Sequence, residues 1–208
     1  MIVNSRRYVT QKRIQQALIS LIRQTGFKAI TVGTILQKAH VSRGTFYRYY
    51  LDKFDLLAQT EARFIIGARD IFDHYDKPDL MALTSSATHE HDAFYALLVY
   101  LYQQQLSVAT LMTCPDSALI PKMHDLIEAT IAIPSTPQTI AQMGTTEIPT
   151  TLVKELVVGN IMTILSYWLA QPTVAAPKIA HQIFLQSRQL SPLALTQLLT
   201  TAASMAHD

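Results

Sequence analysis

Residues 41–53 read "VSRGTFYRYYLDK", a stretch holding one Gly, four aromatic rings and three basic side chains, with its single acid next to last. Its punctuation is that of a short capped helix entered from a turn. Ser42 is a helix-capping residue, and Val41 and Phe46 occupy the two positions of a hydrophobic staple across it. A second capped helix lies just upstream, where Thr31 caps residues 31–38 and Ile30 and Ile35 staple its entry. "KAHV" (38–41) joins the two helices, and Ala39 is small enough for the close contact that a helix-turn-helix requires. Before them, Ile14, Ala17, Leu18, Leu21 and Ile22 form the apolar stripe of a first helix. Gly26 is its left-handed stop, with Phe27 placed to pack back on Ile22.

On a helix starting at Ser42, Phe46 and Tyr50 stand one turn apart and face inward, leaving Arg43, Gly44, Thr45, Tyr47 and Arg48 on the N-terminal and outer faces. Gly44 costs about 1 kcal/mol of helix propensity relative to Ala, a cost that makes sense where a side chain would hold the backbone away from a nucleic acid. Arg43 and Arg48 can donate to guanine edges. The Tyr47 and Tyr49 hydroxyls, Lys53 and the free N–H groups at the helix start suit phosphate. Tyr49 also suits packing, and Arg6 and Arg7 belong either to a disordered tail or to an arm on the nucleic-acid backbone or minor groove.

The charge distribution points the same way. The net charge of +2 hides an asymmetry: residues 1–51 carry nine Lys or Arg and no acid (+9), whereas 52–208 carry eight bases and all fifteen acids (−7). Such a split suggests a module for an anionic polymer joined to a solvated acidic body. All nine prolines lie at or after Pro78, so the first 77 residues can be continuous helix and tight turn. Helical periodicity recurs at about 9–24, 31–38, 42–50, 52–74, 90–113, 116–131, 150–170, 176–189 and 191–204, with connections at 75–90 and 131–149. No segment alternates with period two, which predicts an all-α protein. A 49% apolar composition argues against disorder, and one Cys excludes an internal disulfide framework. No secretory signal is readable, and the run 156–170 falls short of a span of about 20 residues. The expectation is a cytoplasmic protein with no membrane partner.

The segment "TVGTILQKAHVSRGTFYRYYLDKFDLL" (31–57) resembles the DNA-binding signature of the TetR family of transcriptional regulators. In that signature a Thr-capped helix leads to an Ala-x-Val-Ser turn, a Gly-Thr-Phe-Tyr recognition helix and a Lys opening the fourth helix. The resemblance implies base or groove contacts from Arg43, Gly44, Thr45 and Arg48, and phosphate contacts from Thr31, Tyr47, Tyr49 and Lys53. It also implies a DNA-binding domain over 1–52, an all-α effector-binding and dimerisation domain over 53–208, and a homodimer on a palindromic double-stranded operator, answering to a small-molecule effector. Two positions depart from the pattern. Tyr50 stands where Phe is usual, so its hydroxyl needs a partner, and Gly33 weakens the middle of the second helix. "ILSYWLAQP" (164–172) is similar, on few positions, to a branch that includes regulators of dihydroxyacetone-kinase operons. Some relatives act through protein partners, so an adaptor or coactivator is the alternative reading.

In the body, the helix 150–170 is apolar over far more than one stripe and needs two packing partners. Either the core supplies both, or a two-fold partner docks on it and on 176–189; Ile161 and Leu165 are the candidates for that interface. Candidate pocket residues are Tyr95, Leu98, Tyr102, Met112, Met123, Ile127 and Trp168, with His124 as a polar orienter, because rings and thioethers suit an adaptable cavity. Each of them also suits a filled core. Cys114 has no basic sequence neighbour to activate it. His89 and His91 in "HEHD" (89–92) lack the i, i+4 spacing of a zinc-binding pair. With no phosphate-binding Gly loop, nucleophile elbow or paired acids, neither an enzyme nor a cofactor is expected.

Overall fold

In the computed structural model the described residues are 2–75, 92–130 and 149–187, together with Ala194 and Gln197. They contain helices and turns and no strand. The helices are α1 (Ile2–Thr25), α2 (Val32–Ala39), α3 (Arg43–Tyr47), α4 (Lys53–His74), α5 (Ala93–Gln103), α6 (Gln105–Thr113), α7 (Leu119–Thr130), α8 (Thr150–Ala170) and α9 (Pro177–Ser187). His89, His91 and most of 191–204 lie outside the described residues.

Local chemistry sets the N-terminal boundaries. Gly26 takes φ +75° and its N–H bonds the Ile22 carbonyl at 2.9 Å, ending α1 in the left-handed conformation that glycine adopts without strain. Phe27 is then buried. Thr31 caps α2 through the Thr34 N–H, and the Thr34 hydroxyl returns the bond to the Thr31 N–H. Ser42 caps α3 through the Thr45 N–H at 3.2 Å. The turn between α2 and α3 uses a left-handed residue that is not glycine. His40 takes φ +53°, and the bonds from Val41 N–H to the Leu36 carbonyl and from His40 N–H to the Gln37 carbonyl close a Schellman motif.

One continuous core runs from Ile14 in α1 through Phe46, Leu56 and Phe64 to Leu97, Leu126, Leu165 and Phe184. α1 packs on α2, α4 and α6. α4 packs on α5 and α7, α7 and α6 on α8, and α9 on α5 and α8. α4 therefore belongs to both ends of the molecule. At its start, the Lys53 ammonium donates to three carbonyls of the α1–α2 turn, those of Phe27 (3.2 Å), Lys28 (3.1 Å) and Ile30 (2.8 Å). Two turns on, the buried Glu61 accepts from Ala118 N–H (2.9 Å) and pairs with Lys122 (2.7 Å) at the start of α7. Further along, Gly67 lets Tyr100 of α5 lie across the helix, since an added Cβ would overlap the Tyr100 hydroxyl and Cζ.

α1 and the segment 90–113 depart from the periodicity, while α8 has the expected bounds of 150–170. α1 starts at Ile2 rather than near residue 9. The helix read as 90–113 is two, broken at Gln104 (φ −122°, ψ 18°) with neither Gly nor Pro present. The run 156–170 belongs to a 21-residue helix, of which Thr151–Ala170 is long and apolar enough to cross a membrane by length and composition alone. Its inner face, Val158, Ile161, Met162, Leu165, Trp168 and Leu169, is buried in the body.

Tyr50 finds its partner across the domain, where Gln15 Nε2 donates to its hydroxyl at 3.4 Å with both groups buried. Burial holds this phenol above its ordinary value of 10.0, opposed in part by Arg63. The unfolded phenol ionises first, so stability from this group is complete below pH 10 and is lost as pH rises through the folded value. Tyr50→Phe should leave the Gln15 amide unpaired and cost about 1 to 3 kcal/mol at neutral pH, while making alkaline unfolding shallower. Adding Gln15→Leu should recover most of the loss. Urea melts at pH 7 and above pH 10 check both parts.

Candidate nucleic-acid interface

The Ser42 cap and the Phe46–Tyr50 anchor fix which way α3 presents its side chains. Phe46 and Tyr50 are sealed in the core, their rings 5.5 Å apart. Arg43, Gly44, Tyr47 and Arg48 are exposed on the opposite side, with Thr45 half-buried beside them. Tyr47 is 48% exposed although its ring meets the edge of Phe46. A Cβ at Gly44 would meet only open space, so no described neighbour within the chain requires glycine there. The helix is shorter than its periodicity, five residues with Arg48 as the following helical residue. One face of one turn is thus exposed. Thr31 is exposed at the start of α2, with its hydroxyl engaged in the capping box.

Two cations have other duties. Lys53, assigned to phosphate by the resemblance, directs its ammonium onto the three turn carbonyls and lies 4.8 Å from the Phe27 ring and 5.4 Å from that of Phe54. Arg13 donates to the carbonyls of Ala39 (2.8 Å) and His40 (3.4 Å), pinning α1 to the turn before α3. Neither clamp is visible in the sequence, because each spans 23 to 27 residues. Lys53→Met should therefore lower stability by about 1.5 to 3 kcal/mol, the range for bonds from a charged donor. A thermal midpoint unchanged from wild type would contradict the clamp. Arg7 is not in a loose tail: it lies on α1 with its guanidinium 5.8 Å from the half-buried Tyr49 ring.

Of the residues expected to line an effector pocket, Tyr95 borders a cavity of about 300 Å³ with Ile71, Tyr75 and Tyr100. Leu98, Met123, Ile127 and Trp168 are buried in the continuous core. Trp168 stacks on Tyr102 at 6.2 Å and donates to the Ala175 carbonyl, and Met112 packs against the same core from its edge. Tyr95 lies against the buried His181 at 5.4 Å. His124 turns outward to Glu155 of α8, 3.4 Å away. A cavity of about 430 Å³ lies between α4 and α7, lined by Ile65, Arg69, Phe72, Lys122 and Leu126 among others. Cys114 is a buried free thiol.

Ile161 and Leu165 likewise face the subunit's own core, 5% and 0% exposed. A helix that is apolar all round does not announce which face is inward. The free face of α8 carries Leu152, Leu156, Gly159, Thr163 and Tyr167, spaced along one side, with Leu156 63% and Tyr167 66% exposed. Ile179 and Ile183 of α9, which packs on α8, are also exposed.

The profile of the bacterial regulatory proteins of the tetR family matches residues 14–60, the stretch from the α1 stripe through α3 into α4. An uncharacterized HTH-type transcriptional regulator, YxbF of Bacillus subtilis (strain 168), is 29% identical over 99 residues, which are 43% of this chain and 26% of that protein. The chain thus matches only about a quarter of that relative's length. Among solved structures, a TetR transcriptional regulator from Streptococcus agalactiae 2603V is 23% identical and aligns over 90% of this chain and 98% of its own with a TM-score of 0.54. NalD of Pseudomonas aeruginosa, the secondary repressor of the MexAB-OprM multidrug efflux pump, aligns over 88% and 96% with 15% identity and a TM-score of 0.57. At such identities these structures establish a common fold, and the matched segment carries the family's motif. The N-terminal segment 14–60, with its capped helix-turn-helix, thus carries the motif of the tetR family of bacterial regulatory proteins, and the chain as a whole shares the all-helical fold of these solved structures.

Proposed function

We propose that this protein is a homodimeric, ligand-responsive transcriptional repressor that binds a palindromic double-stranded operator through α3 of each subunit. One observation carries the reading: Arg43, Thr45, Tyr47 and Arg48 project from a helix whose inner face is locked into the core, with an uncrowded glycine beside them. Arg43 and Arg48 read base edges, Thr45 and the Gly44 backbone lie against the groove, and Thr31, Tyr47 and Tyr49 hold phosphates. Lys53 acts as a positioning residue. Residues 1–52 form the reading unit, and 53–208 the body that pairs two subunits and takes the effector. Repression is the mode of NalD, carried over to this chain.

Dimerisation runs through the free face of α8 and its neighbour α9, a reading supported by the exposure of Leu156, Tyr167, Ile179 and Ile183 on two helices that pack together. Two such helix pairs make a four-helix interface with Gly159 and Thr163 allowing close approach. The response runs through α4. Lys53 bolts one end to the reading unit and Glu61 bolts the shaft to α7, so an effector entering the α4–α7 cavity tilts a rod that sets the separation of the two α3 helices. Effector and operator then oppose each other by linkage.

Selection of genomic fragments by the purified protein tests this. The expected product is a palindrome whose half-sites lie about one helical turn, roughly 34 to 36 Å, apart. Recovery of unrelated sequences bound without salt dependence would refute it.

A further inference from the structure

The seam between the reading unit and the body encloses a cavity of about 440 Å³, separate from the α3 surface and from the α4–α7 cavity. α1 contributes Lys12 and Gln15, α4 contributes Arg63, and the break between α5 and α6 contributes Gln103, Gln104 and Ser107. The charge of this lining is one-sided: it includes two cations and no carboxylate. Among the described residues neither Lys12 nor Arg63 has an ion-pair partner, and Arg63 rests over the Tyr8 ring at 5.7 Å instead. The remaining polar groups are carboxamides and hydroxyls, which can donate to an anion without bringing a neutralising charge of their own.

The helix break adds an independent feature. α6 starts from Gln104 with no side-chain cap, and the Ser107 N–H bonds the Gln104 carbonyl at 2.9 Å, so what this end offers the cavity is the side chains of Gln104 and Ser107. Two cations at one cavity repel each other. An anion between them converts that repulsion into attraction.

We propose that this seam is a binding site for a small anionic ligand, a carboxylate or phosphate monoester held by Lys12, Arg63, Gln104 and Ser107. Such a ligand touches α1, which carries α2 and α3, and at the same time α4 and α6 of the body. It ties the reading unit to the body at a place distinct from the effector cavity.

The test titrates the full-length protein with sodium phosphate and, separately, sodium acetate, with ionic strength held by sodium chloride and backbone amides followed by NMR. Saturable shifts at Gln104 and Ser107 are expected. Arg63→Gln and Lys12→Gln should each weaken the apparent affinity by at least about tenfold, the loss of one charged hydrogen bond. Lys38→Gln, an exposed cation of α2, should leave it unchanged. Circular dichroism establishes that each variant is folded, and two separate cations keep the test decisive if one variant fails. Shifts that never saturate with either anion, or that are equal in Arg63→Gln, Lys12→Gln and wild type, would overturn the site. A different overturning result would be displacement of bound phosphate by any duplex, with both variants losing affinity equally for all DNA sequences, because the two cations would then serve the DNA backbone.

Discussion

Raising salt from about 50 to 200 mM is expected to weaken operator binding by a thousandfold or more. The expectation follows from the first 51 residues, which carry nine bases and no acid. Arg13 is spent on the carbonyls of Ala39 and His40, while Lys28, Lys38, Arg43 and Arg48 are exposed around α2 and α3. If about three or four phosphates are neutralised per subunit, log K should fall against log salt with a slope of about −5 to −7. Single variants then separate two kinds of contact. Arg48→Ala should cost about 1 to 3 kcal/mol per lost bidentate base contact and relax the preference at one symmetric position of the operator. Thr31→Ala should act through its cap, at about 1 kcal/mol of stability, with a uniform loss of affinity across sequences. Binding isotherms at four salt concentrations, on operator and scrambled duplex, measure both. A slope near zero would remove the phosphate contacts, and an Arg48→Ala variant with unchanged sequence preference would remove the base contact.

The features readable from the sequence are those whose cause is local. Gly26, Thr31 and Ser42 end or start helices through bonds to residues three or four positions away, so their chemistry is written in adjacent letters. The inward register of Phe46 and Tyr50 follows from helical spacing alone. The need of the Tyr50 hydroxyl for a partner is also legible, but the partner, Gln15, is 35 positions distant and only the fold supplies it. Lys53 shows the same limit more sharply. A basic residue next to a recognition helix reads as a phosphate contact until the three turn carbonyls arrive around it. His40 hides a left-handed turn without glycine, which Val41 and Arg13 hold in place by bonding the carbonyls around it. In the body, hydrophobicity has no phase. α8 is apolar around most of its circumference, and only its packing on α6, α7 and α9 tells core from surface.

That redrawn face makes the second large effect specific. Leu156→Asp or Tyr167→Asp should give a folded monomer, because each side chain projects from the subunit and meets only the proposed partner. In the dimer the new carboxylate would be buried without a counter-charge, a penalty of several kcal/mol that dissociation relieves. Ile161→Asp should behave differently. Ile161 is 5% exposed within one subunit, so the charge enters that subunit's own core and dissociation offers no escape; loss of helical signal and a collapsed thermal midpoint are expected. The monomeric variants should also lose operator affinity by about 10²- to 10⁴-fold, since the second α3 no longer benefits from the effective concentration set by its partner, while keeping the wild-type preference for one half-site. Sedimentation at micromolar concentration, with and without operator, separates these outcomes. A wild-type monomer, or a dimer that survives Leu156→Asp and Tyr167→Asp together, would place the two-fold interface elsewhere. A folded monomer produced by Ile161→Asp would return it to the inner face of α8.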